Sequence, residues 1–157
     1  MISYKHTQVG YIVVVVTLAV TVLFAWAHIT ARAEPPSVNS GPNFAVSSIM
    51  ILILFILASF ATLTVSIDES YFRIKFGYGI FARKFALDQI ASVKAVKNHW
   101  YYGWGIRLWL WPKIGIYNVS GFDAVEITMK NGEVCRIGTD VPEELETAIK
   151  QSIFNRQ

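Results

Sequence analysis

The chain has 157 residues, 54% of them hydrophobic and only 16% charged, with a formal net charge of +3; ordinary soluble domains carry about 25% charged residues. So slight a positive excess argues against nucleic acid as a partner. The single cysteine, Cys135, rules out an internal disulfide and suits a reducing compartment.

The apolar excess is localised: no Asp, Glu, Lys or Arg lies between Lys5 and Arg32, and none between Glu34 and Asp68. Residues 9–29, VGYIVVVVTLAVTVLFAWAHI, predict a first membrane span, since a helix rises about 1.5 Å per residue and the hydrocarbon core is about 30 Å thick. The valine runs would favour a strand in water, but in lipid a lone segment satisfies its backbone only as a helix. Tyr11 and Trp26 sit near opposite ends, where aromatic rings favour the interface. Lys5 and the Ala31-Arg32-Ala33 pattern also fit a cleaved signal peptide, but the apolar run exceeds the roughly 7–15 residues of such a segment and favours a retained anchor. Residues 30–43 form a polar loop in which Pro35, Pro36, Gly41 and Pro42 forbid a continuous helix. Residues 44–65, FAVSSIMILILFILASFATLTV, predict a second span.

These elements divide the chain into a transmembrane helical hairpin, residues 1–66, and a second domain, residues 67–157. Arg73, Lys75, Arg83 and Lys84 follow the second span closely, whereas the loop carries one Arg and one Glu. The positive-inside rule then places the N-terminus and the C-terminal domain in the cytoplasm, with the loop outside a multi-pass cell-membrane protein.

From Asp68 onward twelve Lys and Arg face ten Asp and Glu, and the pattern turns to alternation. In YFRIKFG, Phe72, Ile74 and Phe76 share one face and Arg73 and Lys75 the other, as in a half-buried strand. FARKFAL, QIASVKAVK, IRLWLW and GIYNVS predict further strands. In AVEITMKNGEVCRIG, Asn131-Gly132 predicts a two-residue type I′ hairpin turn. TDVPEELETAIKQSIF predicts a helix capped by Thr139 or Asp140, with Pro142 in its first turn, Glu143 and Glu144 against its dipole, and Leu145, Ala148, Ile149 and Ile153 as the inner stripe. The fold class is α+β and mainly β: six or seven short strands and a terminal helix.

The stretches FGYGIFARKFALDQIASV, GWGIR and AVEITMKNGEVCRIGTDVPEEL resemble the bacterial pleckstrin-homology-like (PH-like) domains that often follow one or two membrane helices. The resemblance covers the whole C-terminal part. It implies an antiparallel β-sandwich or partial barrel capped by a C-terminal helix, acting in binding or assembly without catalysis or cofactor.

Two groups of residues stand out. Trp100, Tyr101, Tyr102 and Trp104 form an aromatic run suited to the membrane interface, with the inner face of a strand as the competing role for such rings, above all for Trp109 and Trp111. Arg73, Lys75, Arg83 and Lys84 offer a basic surface for anionic lipid headgroups or a partner protein, at about 1 kcal/mol per charge near an anionic leaflet; solvated strand faces are commonly just as basic. Catalytic candidates are few. His99 is the domain's single histidine, Cys135 alternates with apolar neighbours, and Asp68 and Glu69 suit a helix-to-strand junction better than an acid/base pair. The sequence therefore predicts a membrane-anchored binding or scaffolding module at the inner leaflet, not an enzyme, or alternatively an accessory subunit of a larger membrane complex such as a transporter.

Overall fold

The computed structural model describes residues 4–33, 44–109 and 114–155. A strand, β1 (Tyr4–Val9), precedes two helices, α1 (Tyr11–Ala33) and α2 (Phe44–Ser59). Eight strands follow: β2 (Thr62–Ile67), β3 (Tyr71–Phe76), β4 (Phe81–Ala86), β5 (Ile90–Lys97), β6 (Gly105–Trp109), β7 (Ile114–Asn118), β8 (Asp123–Met129) and β9 (Val134–Gly138). The last element is a helix, α3 (Pro142–Phe154), and short 3-10 turns occupy Leu87–Gln89 and Trp100–Tyr102.

The first sheet runs β1-β2-β3-β4, entirely antiparallel. β1 pairs with β2 along its whole length, from Tyr4 opposite Ile67 to Val9 opposite Thr62. The chain therefore leaves the sheet at Gly10, runs out along α1, returns along α2 and re-enters beside its own point of departure, where the Gly10 amide donates to the Ala61 carbonyl at 2.7 Å. The division expected between residues 66 and 67 falls inside β2, and the sheet draws strands from both sides of it.

Hydroxyls of α1 are satisfied within the helix: the Thr17 and Thr21 hydroxyls donate to the Val13 and Thr17 carbonyls, each at 2.7 Å. Tyr11–Thr30, 20 residues, is long and apolar enough to cross a bilayer. The second span, expected over 44–65, is helical only to Ser59 among the described residues. Sixteen residues reach about 24 Å, and Thr62–Val65 belongs to β2 instead. There Leu63, Val65 and Ile67 turn into the core while Thr62, Thr64 and Ser66 remain partly exposed, a period of two concealed behind a continuous apolar run.

The second sheet runs β5-β8-β9-β7-β6 and is mixed, because β7 pairs parallel to β9. This departs from the fully antiparallel sandwich that was expected. The β6–β7 hairpin interrupts the path from β5 to β8 and adds itself beyond β9, which forces that pair to run in the same direction. The two sheets share one core: Leu63, Val65, Phe72, Ile74 and Phe76 from the first meet Val125, Ile127, Cys135 and Ile137 from the second, and Leu145 and Ile149 of α3 complete it.

Two local expectations need correction. The β8–β9 turn is not type I′, which needs positive φ at both central residues. Gly132 has φ 83°, whereas no described non-glycine residue has positive φ. Met129 and Gly132 close a turn at 2.9 Å and the Met129 amide donates to the Glu133 carbonyl at 2.8 Å, as when a type I turn is followed by a left-handed residue. At α3, Pro142 and the two glutamates stand where expected, but Val141 occupies the cap with no side-chain bond, and the Thr139 hydroxyl accepts from the Val141 amide at 3.2 Å.

Candidate functional site

The end of the sandwich from which α1 and α2 emerge gathers three loops. Across the β3–β4 turn, Tyr78 stacks on Phe55, one turn inside α2, with ring centroids 5.5 Å apart, and Phe60, just beyond α2, packs on Phe81 at 5.1 Å and on Phe76 at 5.5 Å. The β7–β8 loop reaches the same place from the second sheet. The Gln8 side chain donates to the Ser120 carbonyl at 3.1 Å, and a Cβ on Gly10 would lie 2.9 Å from the Val119 carbonyl, so only glycine permits this approach. The aromatic run closes the set: it spans the gap between Lys97, opposite Asp123, and Gly105, opposite Asn118, and those partners flank the β7–β8 loop.

Trp100 is 80% exposed, and Tyr101 and Trp104 are also exposed. Tyr102 is half-buried, with the Arg136 guanidinium 5.5 Å over its ring, and Glu126 binds that guanidinium at 2.7 Å. His99 stacks on Tyr101 at 5.1 Å. The strand reading of Trp109 and Trp111 falls outside the described side chains. Tyr78, Ile80, Phe81 and Phe122 are exposed apolar residues at this same end. Tyr78, Ile80 and Phe81 already lie together around the β3–β4 turn, and Phe122 reaches the same end from the β7–β8 loop.

The four basic residues separate. Arg73 and Lys84 lie opposite one another on the outer face of the first sheet, and Lys5, opposite Ser66, which lies opposite Arg73, joins their row. Lys75 lies on that face one row nearer the helices, its side chain over Gly79. Arg83 is on the opposite face, opposite the buried Ile74. Its guanidinium donates to the Tyr117 hydroxyl and, at 2.7 Å, to Glu133, tying β4 to the second sheet. The alternation Phe81, Arg83, Phe85 carried that signal. Burial pushes the Tyr117 phenol up, against the pull of Arg83. In the basic row Arg73 is neutralised by Asp68 at 2.7 Å. Asp68 also accepts from the Ser70 and Tyr71 amides, bonds that, led by the one from Ser70, hold its carboxyl below the usual range. It thus builds the β2–β3 turn, a strand-to-strand junction where a helix-to-strand one was expected.

Burial first, then the Glu133 charge, pushes the Cys135 thiol up to about 12, so it stays protonated at neutral pH and is a poor nucleophile. Among the described residues no three His, Cys, Asp or Glu side chains come together to hold a metal. A groove of about 1020 Å³ opens between β5 and α3, lined by Leu87, Val93, Lys150 and Phe154 among others. No family model matches the chain, and no curated protein or solved structure is significantly similar to it.

Proposed function

We propose that the protein is a membrane-anchored binding module in which α1 and α2 enter the bilayer together and hold a PH-like sandwich against the inner leaflet, where it engages lipid headgroups or a partner protein. One observation carries the reading: the two apolar helices are inserted between paired neighbouring strands, so both roots are fixed to one sheet. A hairpin that leaves and returns within 2.7 Å puts the N-terminal strand and the sandwich on the same side of any membrane it enters. It also favours retention of the first span, since cleavage after α1 would remove β1 from its sheet. The two packed sheets and terminal helix support the PH-like reading, and the parallel β7–β9 pair departs from it.

Thiol labelling of intact cells with an impermeant reagent tests the arrangement. Cysteine at Ser37 should label, while cysteine at Lys5 and at Asn155 should both be protected. Opposite behaviour of Lys5 and Asn155 would sink the inserted hairpin, and protection of Ser37 with labelling of both others would invert the topology.

The accessory-subunit reading draws on the outward apolar surfaces of the helices, where Leu18, Val22, Leu52 and Phe55 are exposed and lipid or another membrane protein would cover them. Co-purification of a stoichiometric membrane partner in mild detergent would favour it.

A further inference from the structure

The geometry points to a collar, built from the β3–β4 turn, the β7–β8 loop and the Trp100–Trp104 segment, that sinks into the bilayer interface around the helix roots and sets the depth of the sandwich without requiring anionic lipid. The inference rests on the membrane-anchor reading above and adds what the soluble part does at the surface.

Three observations carry it. First, most of the large exposed apolar side chains outside α1 and α2 lie at the end where those helices emerge: Tyr78, Ile80, Phe81, Trp100, Trp104 and Phe122. Leu108 and Phe154 lie elsewhere on the sandwich. Phe154 borders the groove at Leu87–Val93, the start of β5, whereas the collar adjoins its end at Lys97. Aromatic rings with one polar edge favour the headgroup layer, and a concentrated apolar patch marks an interaction surface.

Second, the collar is continuous with the apolar surface of α2. Tyr78 stacks on Phe55 and Phe81 on Phe60, so the apolar belt of the helix passes onto the turn without a polar break. α2, about 24 Å long over its 16 described residues, is short against a core of about 30 Å. A short span is accommodated by local thinning of the bilayer around it, which brings the interface to its flank, and the flank here is the collar.

Third, the main basic row stands too far back for an electrostatic dock. The row of Lys5, Arg73 and Lys84 stands four residues along the strands from Val9 and Thr62, about 13 Å at about 3.3 Å per residue. That exceeds a Debye length of about 8 Å in physiological salt. Nearer the collar, Lys97 already faces Asp123 at 4.0 Å. That leaves Lys75, over Gly79 of the β3–β4 turn, and Arg107, which donates to the Tyr101 carbonyl at 3.4 Å, a pair of cations that add only about 1 kcal/mol each near an anionic leaflet.

The test uses the full chain in vesicles, with single spin labels at Ile80, Trp100 and Phe122 and reference labels at Leu18 in α1 and at Phe154. Accessibility to oxygen, which partitions into lipid, is compared with accessibility to an aqueous nickel chelate. The expected result is hydrocarbon depth for Leu18, interfacial depth for the three collar sites and an aqueous signal for Phe154, unchanged between zwitterionic vesicles and vesicles containing a third anionic lipid. Collar labels as aqueous as Phe154, with Leu18 still in lipid, would overturn the collar and leave the anchor standing. An aqueous Leu18 would remove both. Collar depth that develops only with anionic lipid would overturn the charge-independent docking.

Discussion

Gly132 adopts φ 83°, and a Cβ placed there would meet nothing within 4 Å, so a side chain at this position is opposed by backbone conformation alone. Gly132→Val should therefore cost about 1 kcal/mol or more, because a β-branched residue resists positive φ, and Gly132→Asn should cost much less. Denaturant unfolding of the full chain in mild detergent measures both, and equal midpoints for Val and Asn would contradict the left-handed turn. The sequence announced a turn at Asn131-Gly132, but the type I′ expected there is not the type found. Both turn types accept the same pair of residues, and the choice between them rests on Lys130 entering the turn, which no local pattern marks. Arg83 teaches the complementary lesson. Its charge suggested a solvent-facing role beside Lys84, yet its spacing from Phe81 and Phe85 had already set its face, and in a strand the period of two decides direction whatever the chemistry of the side chain.

Among whole elements, legibility followed the length and regularity of the pattern. α1 was readable because a long charge-free run has few alternatives, and β3, β8 and β9 because apolar and polar residues alternate. β2 was hidden: TLTVSI continues the apolar run of α2, and its alternation is between apolar and hydroxyl residues of similar size. β1 was hidden differently. Its inward positions are Tyr4, His6 and Gln8, and only the pairing with β2 identifies it as a strand. The boundary between α2 and β2 gives a sharp prediction at Thr64, which lies between Thr7 and Lys75 in the middle of the ladder. Thr64→Pro should cost about 3 kcal/mol or more, since it removes a ladder bond and the ring clashes with its neighbours. Proline in a membrane helix would be tolerated far better. A melting temperature within 2–3 °C of the parent's, roughly what less than about 1 kcal/mol produces in a chain of this size, would return Thr64 to a helix.

For the molecule as a whole, the hairpin is an insertion and the sandwich is the host. The strongest consequence is that residues 10–61 should be replaceable by a two-residue turn. Val9 and Thr62 are register partners at the end of an antiparallel pair, the geometry that an Asn-Gly connection closes. A chain running from Tyr4 to Val9, through Asn-Gly, and on from Thr62 to Gln157 should fold as one cooperative unit. The informative comparison is with residues 62–157 alone, which keep the other eight strands but lack β1. That fragment loses the cover of Tyr4 and of the buried Gln8 over the core, together with a full edge of ladder bonds. At about 1 kcal/mol net per hydrogen bond and about 1.5–3 kcal/mol for a large buried side chain, less the cost of ordering six residues, the joined chain should be the more stable by more than about 2 kcal/mol. Both chains keep the aromatic collar, so both are best compared in the same mild detergent, with urea midpoints followed by tryptophan fluorescence. Equal midpoints would mean that β1 adds nothing to the sheet, and the N-terminal tail would then be free to lie on either side of the membrane. A large gain would make the tail a strand of the sandwich first and a leader to the helix second, fixing both roots of the hairpin to one side before any lipid is considered.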